Sequence, residues 1–406
     1  MEIINGGVTA AQGFEAAGVY AGIKKKRKDM ALVYSKVPAI AAGTFTTNVV
    51  KAAPVKWDMK LIQSGKPMQA VILNSGVANA CTGVLGDENN EAMAEAMAKE
   101  LGIATDTILT CSTGVIGKLL PMEVIVKGTQ LLKQALSDTI DAGHEAAQAI
   151  MTTDTISKEC AVTIEIDGKT VTVGGMSKGS GMIHPNMATM LGVVTTDLAI
   201  SKELLQKAVS EDVKKSFNMI SVDRDTSTND TLLVLANGLA QNQEITTVGL
   251  EYELFCEALN YVTTTLAKMM AGDGEGAQKL LEAKIIRATT YEQAVSLSKS
   301  IITSNLVKTA VFGNDANWGR IFCAMGYAGV EFDPDIVDLY IESEEGKLKL
   351  VENGMATDYS EEIATKILSG KEVTAIADMK AGEATATAWG CDLTYDYVKI
   401  NADYRS

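Results

Sequence analysis

Two histidines, His144 and His184, are all the imidazole that this chain of 406 residues contains. The commonest general base and most zinc sites are thereby set aside, and acid–base chemistry has to find another base. His184 stands beside Pro185 in a loop-like stretch, where a histidine is more often structural or merely exposed than catalytic. No Gly-x-Ser-x-Gly lies between a strand and a helix, so a serine triad is disfavoured as well. One remaining way to activate a hydroxyl is to make its residue the first of a chain, so that the α-amine, with a pKa of about 8, takes the proton. Thr189 invites that reading. It sits where the glycine-rich stretch that begins at Gly174 turns into an apolar run, and the small residue Ala188 precedes it. Cutting the bond before Thr189 would give it a free amine. On spacing alone, however, Ala188-Thr189 is an ordinary pair at the start of a buried strand.

Two glycine loops invite a phosphate-cradle reading and fail it. Gly174 to Gly181 carries Lys178 but no Gly-Lys-Ser/Thr, and Gly272-Asp273-Gly274-Glu275-Gly276 puts two carboxylates where a phosphate would sit. Both read as tight turns that need a left-handed backbone.

The elements that must position these residues alternate along the chain. Strands are expected at 31–35, 70–74, 107–111 and 231–236, and helices at 87–101, 121–136, 142–151, 202–217 and 252–270. Residues 160–173 alternate about Asp167-Gly168 as a hairpin does. Helices at 291–303 and 361–368 and strands at 338–342 and 347–351 follow, with a boundary expected between Gly276 and Ala288. The class is α/β or α+β with a smaller C-terminal domain. A hydrophobic fraction of 47% and a charged fraction of 21% describe an ordinary globular chain. A net charge of −15 repels a phosphate backbone, so nucleic acid is not an expected partner, and the basic run Lys24 to Lys28 reads as a turn with solvated charges. Six scattered cysteines without a Cys-x-x-Cys pair read as reduced thiols of a cytosolic protein, and neither a signal segment nor a bilayer-spanning run stands out.

A family resemblance runs nearly the whole length. The segment Lys178-Gly-Ser-Gly-Met-Ile-His-Pro-Asn-Met-Ala-Thr-Met-Leu191 resembles the autoprocessing site of the ornithine acetyltransferases, the bifunctional glutamate N-acetyltransferases of arginine biosynthesis. The likeness continues through Gly6-Gly-Val-Thr9, Thr46-Thr-Asn48, Asn79-Ala-Cys-Thr-Gly83, Ser112-Thr-Gly-Val-Ile-Gly117 and Met151-Thr-Thr-Asp-Thr155. It closes with Gly274-Glu-Gly-Ala277, Asn317-Trp-Gly-Arg-Ile321 and Ile400-Asn-Ala-Asp-Tyr-Arg-Ser406. Two positions depart from it: Val77 and Ala316 stand where the family usually has asparagine and proline.

The resemblance implies a cut between Ala188 and Thr189, giving an alpha chain of residues 1–188 and a beta chain of 189–406, with a smaller domain from about 282. It implies a layered αββα sandwich like that of the aminopeptidases with N-terminal nucleophiles. Thr189 would carry the acetyl group from N2-acetylornithine to glutamate, with Thr113 and Gly114 forming the oxyanion hole. Thr152, Lys178, Thr189, Glu275, Asn401 and Ser406 would hold substrate, Thr153 and Thr155 standing as alternatives to Thr152. No metal or resident cofactor is implied. Acetyl-CoA is a second acetyl donor in some members of that family and not in others. The two chains would associate, two of each, in the cytoplasm. The runner-up is an N-terminal-threonine amidase or aminopeptidase, in which water takes the acyl group. A third reading is an amino-acid-binding protein, which would need neither Thr189 nor the cut.

Overall fold

The computed structural model describes residues 1–184 and 190–403. They divide into two units: residues 1–179, 185–218 and 226–266 make the first, and 180–184, 219–225 and 267–406 the second.

In the first unit the chain forms β1 (Glu2–Ile4), β2 (Phe14–Val19), β3 (Met30–Phe45), α1 (Ala53–Ser64), β4 (Met68–Val77), α2 (Gly83–Leu101), β5 (Ile108–Val115), α3 (Met122–Ala135) and α4 (Ile140–Ala149). It continues with β6 (Lys158–Ile166), β7 (Lys169–Lys178), β8 (Leu191–Thr196), α5 (Lys202–Asp212), β9 (Thr231–Ala236) and α6 (Leu250–Gly272), whose last residues belong to the second unit. Among the described residues the strands join in the order β1-β6-β7-β8-β9-β3-β4-β5, with β2 on β3. Among the described strands of this sheet the β4–β5 and β8–β9 pairs are parallel and the others antiparallel.

The long strand β3 makes the architecture. Residues 30–34 pair with β4 and with β2, and residues 40–45 pair with β9. The expected strand at 31–35 is thus only its beginning. Pro38 falls between the two pairings, at an exposed position where a missing N–H costs no ladder bond. The sheet therefore turns on itself, and its two halves share one core: Val33, Leu73 and Leu109 from one half, Met176, Val193 and Leu233 from the other. Alternate residues point outward. Met30, Leu32, Ile72 and Ile108 pack against Met93 and Met97 of α2 and Ile125 and Leu132 of α3. On the far face α6 lies so close that a side chain at Gly175 would be 3.1 Å from Val262 and Leu266. Helix, sheet, sheet, helix is the layering that the family resemblance implied.

The hairpin expected at 160–173 is β6–β7. Its turn residues Asp167 and Gly168 have φ of 51° and 68°, both left-handed, which matches the twist of the flanking strands. The helix expected to reach 217 stops at Asp212. There the Asp212 carbonyl takes Lys215 N–H, Ser216 N–H and the Ser216 hydroxyl, a local set of bonds that competes with further helix.

The second unit holds β10 (Leu280–Ala288), α7 (Tyr291–Thr303), α8 (Asn305–Phe312), α9 (Trp318–Gly326), β11 (Asp338–Ser343), β12 (Gly346–Glu352), β13 (Met355–Ala356), α10 (Glu361–Leu368), β14 (Glu372–Asp378), β15 (Ala384–Cys391) and α11 (Tyr395–Ala402). Its strands run β13-β12-β11-β14-β10-β15, with β10 and β14 parallel. Helices α8 and α9 and strands β10, β14 and β15 add to the elements expected there.

Candidate functional site

Strands β4 and β5 carry two polar stretches side by side, Asn74-Ser75-Gly76 against Ser112-Thr113-Gly114. Buried hydroxyls and amides cost free energy unless bonded, and these are. Ser112 Oγ donates to Asn74 Oδ1 (2.7 Å), Asn74 Nδ2 to the Val77 carbonyl (2.8 Å) and Ser75 Oγ to the Ala149 carbonyl (2.6 Å). Asn229, just before β9, ties both strand ends, donating to the carbonyls of Ala78 (2.7 Å) and Ser112 (2.8 Å). Gly114 has a φ of +129°, and a Cβ there would stand 2.3 Å from the Gly76 carbonyl carbon, so only glycine fits. Val77, one of the two departures, is buried in the apolar cluster beneath α2 and α3. Ala316, the other, is buried ahead of α9, in a turn kept by Asn317 N–H to the Asp315 carbonyl (2.7 Å).

Thr113 and Lys178 meet here. The Lys178 ammonium donates to Thr113 Oγ1 at 3.1 Å. A hydroxyl that accepts on its lone pair turns its own hydrogen elsewhere, so Lys178 presents Thr113 as a donor beside Gly114. Lys178 ends β7 and pairs there with Leu191, the first residue of β8.

Next to Lys178 is a charge cluster centred on Asp154. Its Oδ1 accepts from Lys158 Nζ (2.8 Å) and Gly179 N–H (2.7 Å), and its Oδ2 from Thr152 N–H (2.9 Å). Burial pushes this carboxyl up, but Lys178, Lys158 and the hydrogen bonds outweigh burial and bring it down to about 2. Lys24 reaches the Met151 carbonyl at 2.9 Å, and burial, opposed by Asp29, lowers its ammonium to about 8. The expectation of a solvated basic run is corrected here. Lys25, Lys26 and Arg27 are exposed, while Lys24 is half-buried and Lys28 pairs with Glu145. The reason is the buried Asp29 carboxylate, which takes the N–H groups of Ala21, Gly22 and Lys24 and curls the turn inward.

Of the three threonines, Thr152 has its N–H on Asp154, whereas Thr155 is exposed. Thr113, Gly114, Thr152 and Lys178 therefore belong to the first unit, and Glu275 and Asn401 to the second. Asn401 Nδ2 donates to Glu275 Oε2 at 2.7 Å. The glycine loop around Glu275 is bonded and buried: Glu275 N–H donates to the Ser180 carbonyl (2.9 Å), and the carboxylate lies against Gly181. Asp223 takes the N–H groups of Met182 (2.7 Å) and Ile183 (2.8 Å), holding the segment that leads toward residue 188. Ala188, Thr189 and Ser406 lie outside the described residues. Sequence reasoning missed Lys24, Asp154, Asn229 and Asp223. Asp154 stood within a quoted motif, four residues before Lys158, and that spacing was its only signal.

Among the described residues no group of three or more His, Cys, Asp and Glu side chains could hold a metal ion, and no helix is long and apolar enough to cross a membrane. What the arrangement can do is stabilise an oxyanion and hold a carboxylate, the requirements of acyl transfer between amino acids. The αββα layering, with a threonine hydroxyl and a lysine ammonium meeting at its strand ends, defines a layered α/β sandwich protein.

The chain belongs to the ArgJ family, whose model matches residues 15–406. It is 52% identical over its whole length to the whole of the arginine biosynthesis bifunctional protein ArgJ of Caldanaerobacter subterraneus subsp. tengcongensis. It is 51% identical to that of Symbiobacterium thermophilum, with all of both chains covered. The solved ornithine acetyltransferase of Mycobacterium tuberculosis, complexed with ornithine, is 43% identical over 46% of this chain and 98% of that one, with a TM-score of 0.43.

Proposed function

We propose that the chain cuts itself between Ala188 and Thr189 and then moves the acetyl group of N2-acetylornithine to glutamate, a step of arginine biosynthesis. Whole-length identity to the bifunctional ArgJ proteins supports the pathway. The observation that carries the chemistry is the bond from Lys178 to Thr113, which turns the Thr113 hydroxyl into a donor beside Gly114.

The Thr189 hydroxyl attacks the acetyl carbonyl, its proton passing to the Thr189 amine. Thr113 and Gly114 N–H take the negative charge on the carbonyl oxygen. As the C–N bond breaks, the amine returns the proton to the departing ornithine and leaves an acetyl ester on Thr189. The α-amine of glutamate attacks the ester through a second oxyanion, and the threonine hydroxyl is restored. Donor and acceptor both carry an α-carboxylate, which Lys178 and Thr152 hold in turn, with Glu275, Asn401 and Ser406 the remaining substrate residues.

Strands β7 and β8 stand on opposite sides of the cut in sequence and pair from Val173–Thr196 to Lys178–Leu191. Their ladder would survive the cut, so the two fragments stay together. We include in the proposal a cytoplasmic assembly of two of each fragment, and acetyl-CoA as a second donor. Incubation with N2-acetylornithine alone should add one acetyl group to the fragment beginning at Thr189, and initial rates with both substrates should give parallel double-reciprocal lines. Acetate released at full rate without glutamate would make the protein an amidase; an uncut chain that turns over would refute the threonine mechanism. Label arising from acetyl-CoA alone tests the second donor.

A further inference from the structure

The peptide unit between Met151 and Thr152 is gripped at both of its polar ends by charged side chains. Its carbonyl oxygen accepts from Lys24 Nζ at 2.9 Å, and its N–H donates to Asp154 Oδ2 at 2.9 Å. In a trans peptide the carbonyl and the N–H point in opposite directions. A cation on one side and an anion on the other therefore select one orientation of the plane; turned over, the peptide would lose both bonds and aim its oxygen at a carboxylate.

Both grips are themselves anchored. The Lys24 backbone N–H is held by Asp29 Oδ2 at 2.9 Å, and its stem passes over Gly76, where a Cβ would be 3.1 Å from Lys24 Cγ. Gly76 in turn stands opposite Gly114. The other oxygen of Asp154 holds Gly179 N–H at 2.7 Å, the residue after Lys178, and the Lys158 ammonium at 2.8 Å. One carboxylate thus ties the backbone at Thr152 to the backbone beside Lys178.

We propose that Lys24 and Asp154 form a clamp on the Met151–Thr152 peptide that positions Thr152, and through Gly179 also Lys178, for the carboxylate-bearing substrate. Both are positioning residues, and the inference rests on Thr152 and Lys178 being substrate-binding groups. Lys24 acts at a distance in sequence: 127 residues separate it from the carbonyl it holds.

The test is a double-mutant cycle between Lys24 and Thr152, read on purified, cleaved protein with N2-acetylornithine and glutamate. Lys24→Met should raise KM for both substrates roughly tenfold to a hundredfold, the range for one lost charged hydrogen bond, and lower kcat less. Lys24→Arg, which keeps a donor, should recover most of the affinity. In a Thr152→Ala background Lys24→Met should add little, because the group it positions is gone. Unchanged KM in Lys24→Met, or two effects that simply multiply, would overturn the clamp. For the other arm, removing Asp154 alone strands the buried Lys158 charge, so Asp154→Asn is combined with Lys158→Met. That double variant should melt cooperatively and still show the raised KM; restored KM would remove Asp154 from the clamp. Wild-type protein that forms no acetyl-threonine would sink the functional reading instead, whereas normal wild-type transfer with a normal Lys24→Met sinks the clamp alone.

Discussion

His184 shows how far the setting of one residue departs from what its type suggests. Burial first, then the charges of Lys299 and Arg224, lower its imidazole from 6.5 to about 4. Between those values the unfolded chain binds a proton that the folded chain does not, so ν_U exceeds ν_N and stability rises with pH across the window. The contribution is fully present above pH 6.5 and is lost as the pH falls toward 4. Denaturant midpoints at pH 7, 5.5 and 4.5 should fall in that order, and His184→Gln should flatten the part of the slope between 6.5 and 4. An unchanged slope in the variant would assign the acid sensitivity to other groups. The partner Ser221, whose Oγ lies 3.1 Å from His184 Nδ1, also donates to the Ile183 carbonyl. The neutral imidazole therefore belongs to the hold on this segment, the first of the two settings, structural or merely exposed, that the sequence left open.

At the scale of elements, the site is a property of strand ends. Two parallel strands, β4 and β5, bring Gly76 and Gly114 together, and the polar groups there are tied by Asn74, Ser112 and Asn229. Substitutions should therefore separate chemistry from architecture. Thr113→Ala removes a hydroxyl and leaves the strand pair, so kcat should fall roughly a hundredfold or more, with little change in melting temperature. Lost affinity with turnover kept would make Thr113 a binding residue. Gly114→Ala is the contrasting case. Its Cβ meets backbone at 2.3 Å, which no rotamer relieves, so both turnover and thermal stability should drop.

At the scale of the whole molecule, the first unit draws on residues from both sides of the expected cut, since β8 and β9 come after it and β1 to β7 before it. Cleavage would break one covalent bond and leave the ladders β7–β8 and β3–β9 in place. The two fragments should co-elute in native size exclusion and separate only in denaturant, while Thr189→Ala should stay one chain with a similar melting temperature. Fragments that part under native conditions would show that the ladders do not suffice.

Much of this was legible before any coordinates. The left-handed pair Asp167-Gly168 announced its hairpin, and α7 and α10 occupy the expected 291–303 and 361–368, each with a hydroxyl cap, Thr290 on Gln293 N–H and Ser360 on Ile363 N–H. Such signals act within a turn or two of the chain, so the local sequence contains them whole. The run of motifs likewise singled out Thr113 and Lys178, and the structure brings them to 3.1 Å of each other. What the sequence could not contain was the destination of a side chain across the fold. Lys24 looked like any lysine of a basic turn, and only the tertiary structure sets it against a carbonyl 127 residues away; Thr113 and Lys178 are 65 apart. The strand expected at 31–35 ended before Pro38, and only the passage from β4 to β9 carries β3 on to Phe45. The physical reason is the same in each case. Periodicity and capping are set by neighbours in the chain, whereas burial, desolvation and the pairing of charges are set by neighbours in space.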